Sequence, residues 1–190
     1  MSQHGKKRLQ QKQLLVSNTL KNVIYNNGKG HIIQFRHGSN VANLFKSSSL
    51  VKPDGGLGKG NDLLKNKLTA LYFSASWCGP CKQFTPHLKT FYDKVNKDGK
   101  QFEVIFVSLD RDEKSMERYY EEHMGKWLRT EYNSDLIHGL TDECNVSSIP
   151  ALKIVNENGD VLGIHAREEI MRDGGDDSEG LLQRWKKMAI

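Results

Sequence analysis

Cys78 and Cys81 stand with only Gly79 and Pro80 between them, inside the stretch "SASWCGPCKQFTP" that runs from residue 74 to 86. Two thiols at that separation can exchange with other disulfides or hold half of a metal site. Exchange needs one thiol that ionises near neutral pH and a second close enough to attack the mixed disulfide that forms. A structural zinc site needs two more donors. Cys144 stands alone, and His87, His123, His138 and His165 have no mutual spacing of the kind a ligand set shows. A zinc-binding structural domain is therefore the weaker reading of the pair, and Cys144 reads as a small core hydrophobe.

The elements around the pair decide which thiol ionises. Residues 68–73, "LTALYF", form a short unbroken apolar run, as do residues 102–109, "FEVIFVSL". Such runs predict strands covered on both faces. Between them Phe84, Leu88, Phe91 and Val95 recur at helical spacing, which predicts a strand–helix–strand crossover with parallel strands. The cysteines then fall where the first strand ends and the helix begins. Unpaired N–H groups and about half a positive charge gather there, so a Cys78 thiolate is stabilised toward a pKa of ~7. Pro80 suits the first helical turn, where its missing N–H is no loss, and Pro86 within the helix predicts a kink. Helices are expected through Met116, Tyr119, Tyr120 and His123, through Leu136, Ile137, Leu140 and Cys144, and through Leu181, Leu182, Trp185 and Met188. Asn158-Gly159 predicts a hairpin between "ALKIV" and "VLGIH". The expected fold is α/β, a central mixed sheet with helices on both faces.

Composition narrows the compartment and the partners. The chain has 190 residues, 37% of them hydrophobic and 27% charged, enough for one sizeable core. No apolar run approaches the ~18 residues of a membrane span, and the N-terminus lacks the apolar segment of a secretory signal. An intracellular protein with an odd cysteine is not a disulfide-stapled scaffold, so its close pair reads as catalytic or metal-binding. Residues 1–60 hold ten of the 28 basic residues and one of the 23 acids, Asp54. The chain is thus read as a basic extension, residues 1–40, followed by a mildly acidic domain, residues 41–190. The segment "KPDGGLGKGND", 52–62, reads as loop.

The stretch "WCGPC" after a buried strand, with "SIPAL" about seventy residues later, resembles the thioredoxin superfamily. The segments "ALYFSASWCGPCKQFTPHLKTFYDKV", "FEVIFVSLDRDEKSMERYY" and "SSIPALKIVNENGDVLGIHAREEI" are similar to its tryparedoxin and nucleoredoxin branch. The resemblance covers residues 42–190 and implies a thioredoxin-like fold and a thiol–disulfide oxidoreductase. It implies Cys78 as nucleophile, Cys81 as resolving thiol, and Pro150 as a cis proline presenting the Ile149 backbone to substrate. Trp77 and Trp127 match aromatic positions beside the family's active site, and Arg167 matches a position near substrate. Gly79 and Pro80 depart from the branch and match ordinary thioredoxins, which implies a reductant near their potential of about −270 mV. A second departure is Tyr72, where thioredoxins carry a buried aspartate; it reads as a core residue.

No flavin or nucleotide motif is visible, so no cofactor is expected and electrons must come from a reductase or a small dithiol. The expected substrates are disulfide-containing proteins, acted on by a monomer with no nucleic-acid or membrane partner. The alternative is a redox-sensitive binding module, as nucleoredoxin resemblance allows, in which turnover is incidental. "GKKRLQQK" near the N-terminus could serve as a nuclear address, and the scarcity of acids before Asp54 fits a mitochondrial one; a solvated arm on a cytoplasmic protein is the favoured reading. A chain starting near Val41 is then expected to fold and to reduce insulin disulfides with the rate constants of the full chain. A large loss of turnover at both low and high salt would place the arm inside the catalytic domain.

Overall fold

In the computed structural model, described residues are 23–26, 32–35, 41–46 and 48–190. The chain divides into two units, Met1–Ser39 and Asn40–Ile190. In the first, β1 (Val23–Asn26) and β2 (Ile32–Phe35) pair antiparallel, with Val23 opposite Phe35. These strands fall within residues 1–40, the segment expected as a basic extension. The Asn27-Gly28 pair between them is a hairpin signal in the sequence. The clusters at residues 6–12 lie outside the described residues.

The second unit runs α1 (Val41–Lys46), β3 (Ser49–Val51), β4 (Leu57–Lys59), α2 (Gly60–Leu64), β5 (Leu68–Ser74), α3 (Gly79–Val95), β6 (Phe102–Ser108), α4 (Glu113–His123), β7 (Leu128–Arg129), α5 (Asp135–Glu143), β8 (Ala151–Val155), α6 (Ala166–Asp173) and α7 (Ser178–Met188). Six strands form one mixed sheet in the order β4-β3-β7-β6-β5-β8. β5 and β6 are parallel, from Leu68 beside Phe102 to Ser74 beside Ser108. That is the crossover expected around α3, and the α/β class follows from it.

Every residue of β5 and β6 is buried, as unbroken apolar runs require. Leu68, Ala70, Tyr72, Phe102, Val104 and Phe106 share one core with Phe84, Leu88, Phe91 and Val95 of α3 and with Trp185 of α7. By the two-residue period of a strand, Leu71, Phe73, Ile105 and Val107 point to the other face, where they are buried too. Phe91 packs against Phe102 and Trp185 at ring separations of 5.5 and 5.2 Å. Pro86 sits on the exposed face of α3, and the helix continues through it to Val95. The far end of the crossover is tied down as well. Asn96 Oδ1 accepts from the amides of Gln101 and Phe102, and its side-chain amide donates to the Phe102 carbonyl at 3.0 Å.

Three expectations need correction. Segment 52–62 is more than loop: it holds the turn, the edge strand β4 and the start of α2, with Val51 opposite Leu57. At Asn158-Gly159 the turn forms, with Gly159 at φ 87°, yet "VLGIH" is not a strand. Only a single bridge, Val155 to Val161, survives; beyond it the Ile164 amide turns back to the Leu162 carbonyl, which ends the pairing. Trp127 is the third. Its side chain is completely buried and packs edge-on against Tyr92 at 5.4 Å, toward the C-terminal half of α3. A ring without exposed surface cannot meet a substrate, so Trp127 belongs to the core.

Trp127→Phe is therefore expected to lower stability by roughly 1–3 kcal/mol, the range for a partly emptied core site, while leaving kcat/KM for a protein disulfide within about twofold. Denaturant melts and insulin turnover on the same preparation check both parts. A large fall in kcat/KM with unchanged stability would return Trp127 to the active site.

Candidate active site

Because β5 and β6 end level at Ser74 and Ser108, the segments that follow them emerge side by side. In an α/β sheet the carboxyl ends of parallel strands are where ligand sites form. The first of these segments carries the cysteines. Cys78 is the N-cap of α3, with extended backbone at φ −89° and ψ 102°, and its Sγ accepts a hydrogen bond from the Cys81 amide at 3.2 Å. Sulfur thus takes the place of the serine or aspartate oxygen that usually satisfies a helix's first amides. Pro80 occupies the first turn, where no donor is lost.

The two cysteines are joined as a disulfide with Cα atoms 5.2 Å apart. They are not equivalent. Cys78 keeps 5% of its surface exposed, and Cys81 none. Behind Cys81, Thr85 Oγ1 donates to its carbonyl at 2.8 Å, and the Tyr72 hydroxyl lies 3.2 Å from the same carbonyl and 2.9 Å from Thr85 Oγ1. Burial lifts the Tyr72 phenol from 10 to about 12, so it stays protonated at neutral pH. Tyr72 therefore donates and does not take up a proton. Cys144, at the C-cap of α5, is buried, and burial pushes its thiol up to about 12.

The second segment braces the first. Asp110 Oδ1 accepts from the Ser76 amide at 2.8 Å, and Oδ2 from Ser108 Oγ at 2.9 Å. The Trp77 indole N–H donates to the Leu109 carbonyl at 3.3 Å, and the Leu109 amide donates to the Ser74 carbonyl at 2.9 Å. Trp77 consequently stands 57% exposed beside Cys78 yet fixed at its nitrogen. Sequence reading named Trp77 and missed Ser76 and Asp110. A charged triplet one residue beyond the buried strand 102–108, at a carboxyl end, is the available signal.

Pro150 comes to the same end of the sheet. Ala151 pairs with Phe73, and the Ile149–Pro150 peptide before it is cis. Gly79 is exposed, and a Cβ built there would meet nothing within 4 Å. Packing therefore does not demand glycine at that position. Arg167, in the first turn of α6, is half-exposed and pairs with neighbouring Glu168 at 3.4 Å. Among the described residues no three His, Cys, Asp or Glu side chains are grouped as metal ligands would be.

A thioredoxin-like family model matches residues 66–161, the span from β5 past β8. The tryparedoxin of Trypanosoma brucei brucei is 36% identical over 131 residues, covering 67% of this chain and 86% of that protein. Probable nucleoredoxin 1 of Arabidopsis thaliana is 34% identical over 113 residues, which is 60% of this chain; the chain spans only 19% of that relative's length. Among solved structures, the thioredoxin of Wuchereria bancrofti superposes with a TM-score of 0.64 at 39% identity, covering 76% of this chain and 98% of the other. Matched by the family model across half its residues and spanning most of a tryparedoxin, the chain belongs to the thioredoxin-like family.

Proposed function

We propose that this protein reduces protein disulfides through its Cys78–Cys81 dithiol. The observation that carries the reading is the asymmetry of the pair: Cys78 caps the positive end of α3 with some surface open, and Cys81 is sealed behind it. In the reduced protein the Cys78 thiolate attacks one sulfur of a substrate disulfide, forms a mixed disulfide and releases the other sulfur as a thiolate. The Cys81 thiol then gives up its proton and attacks Cys78 Sγ. That step releases the second substrate thiolate and leaves the Cys78–Cys81 disulfide that this structure displays. Two electrons pass to the substrate, whose sulfurs take one proton from Cys81 and one from solvent, and an upstream reductant, a reductase or a small dithiol, returns the electrons.

The surroundings fit those steps. Asp110 and the Leu109 carbonyl hold Ser76 and Trp77, so the nucleophile's loop keeps its shape as sulfur partners change. Ile149, half-exposed before the cis Pro150 and alongside the end of β5, offers backbone to an extended substrate. A binding module that switches with the redox state of the pair is the competing reading, and the likeness to a nucleoredoxin favours it. Catalytic turnover separates the two.

Cys78→Ser is expected to abolish insulin reduction without unfolding the protein. Cys81→Ser is expected to accumulate a mixed disulfide with substrate, visible on a non-reducing gel. Turnover surviving in Cys78→Ser, or a wild-type protein that binds disulfide substrates without reducing them, would overturn the reading.

Tyr72 gives a second expectation. Its phenol holds a proton in the folded state that the unfolded chain releases near pH 10. Its contribution to stability is therefore whole below pH 10 and is lost as pH climbs through about 12. Tyr72→Phe should flatten the alkaline slope of stability by about 2–3 kcal/mol and leave the acid limb of the pH–rate profile in place. Tyr120 and Cys144, also raised to about 12 by burial, keep part of the slope. A shifted acid limb in Tyr72→Phe would make the phenol a proton acceptor after all.

A further inference from the structure

The triplet Asp110-Arg111-Asp112 follows β6 after Leu109 and carries two acids against one base, but its side chains are unequally committed. Both oxygens of Asp110 are taken, one by the Ser76 amide and the other by Ser108 Oγ. Both oxygens of Asp112 are taken as well: Oδ1 caps α4 at the Ser115 amide, 2.8 Å away, and Oδ2 accepts from Ser115 Oγ at 2.8 Å. Each acid faces the backbone it braces. Arg111 between them is exposed and makes no hydrogen bond or ion pair among the described residues. Its guanidinium instead lies over the Trp77 ring, 6.0 Å from the centroid.

That placement has a consequence for docking. Trp77 immediately precedes Cys78, and its indole nitrogen is anchored at the Leu109 carbonyl, so the ring is a fixed platform. A guanidinium over an aromatic face keeps its outer N–H donors free for a planar anion. Lys82, one residue past Cys81, is exposed and its ammonium makes no ion pair among the described residues. A substrate strand approaching Cys78 meets an aromatic surface with the Arg111 guanidinium over it. A carboxylate near the scissile disulfide complements that charge, and a lysine there opposes it.

We propose that Arg111, seated over Trp77, is a specificity-determining residue that selects polypeptide disulfides flanked by an aspartate or glutamate. The inference rests on the oxidoreductase reading. It adds a substrate class that the dithiol by itself does not specify. Because the charges are exposed, the selection is modest and depends on ionic strength.

Two disulfide-linked peptides of equal length, alike except for glutamate or glutamine on each side of the cystine, provide the test. With the full-length reduced protein, kcat/KM for the glutamate peptide should exceed that for the glutamine peptide by roughly two- to fivefold at low salt. The ratio should shrink toward one in 0.5 M salt. Arg111→Lys should keep most of the preference, and Arg111→Glu should invert it. Each ratio is internal to one variant, so partial loss of folding does not mimic the result. A ratio unchanged between wild type and Arg111→Glu, or near one in the wild type, overturns the selectivity while leaving the reductase reading intact. A wild-type protein inert toward both peptides overturns the reductase reading and this inference with it.

Discussion

The sulfur of Cys78 receiving the Cys81 amide at the start of α3 is the contact on which the rest of the site depends. A helix terminus offers amide donors and partial positive charge only within its first turn. The sulfur must therefore be held to that turn while substrates come and go. The hold comes from below. β5 delivers the chain to the helix start, and the Phe84, Leu88, Phe91 and Val95 face presses α3 onto the sheet. The aromatic contacts among Phe91, Phe102 and Trp185 fix the far half of the helix in place. The active site is thus a surface feature whose geometry is set by a core that never touches substrate.

The division of labour between the two cysteines follows from the same arrangement. The N-cap lies at the rim, and the residue three positions on lies one turn inward, under the loop and against the sheet. Tyr72 and Thr85 fill the space behind Cys81 with neutral hydroxyls that satisfy its carbonyl. A neutral group there adds no negative charge to compete with the helix end for influence over Cys78.

Much of this was legible in the sequence, for identifiable reasons. β5, β6 and α3 are long or unbroken enough for periodicity to declare them, and the dithiol sits where they join. Short elements were not legible. β7 has two residues, and β3 and β4 three each, so pairing within the sheet, more than local pattern, makes them strands. The hairpin at Asn158-Gly159 shows the reverse case, a strong turn signal whose second arm is not needed by the sheet. Trp127 was misplaced because a sequence position carries no direction; its ring turns into the core beside Tyr92. The roles of Ser76, Asp110 and Arg111 emerged only when the register set the ends of β5 and β6 next to each other.

If the α3 terminus is what makes Cys78 a nucleophile, the ionisation of that one thiol reports it directly. Thiolate absorbance near 240 nm, followed across pH in the reduced protein and in a reduced Cys78→Ser control, isolates the Cys78 titration by difference. The account predicts a pKa clearly below the ~8.5 of a free cysteine, approaching the ~7 found in dithiols at helix starts. A Cys78 that titrates at or above ~8.5 would mean that the helix end does not activate it, and would contradict the account.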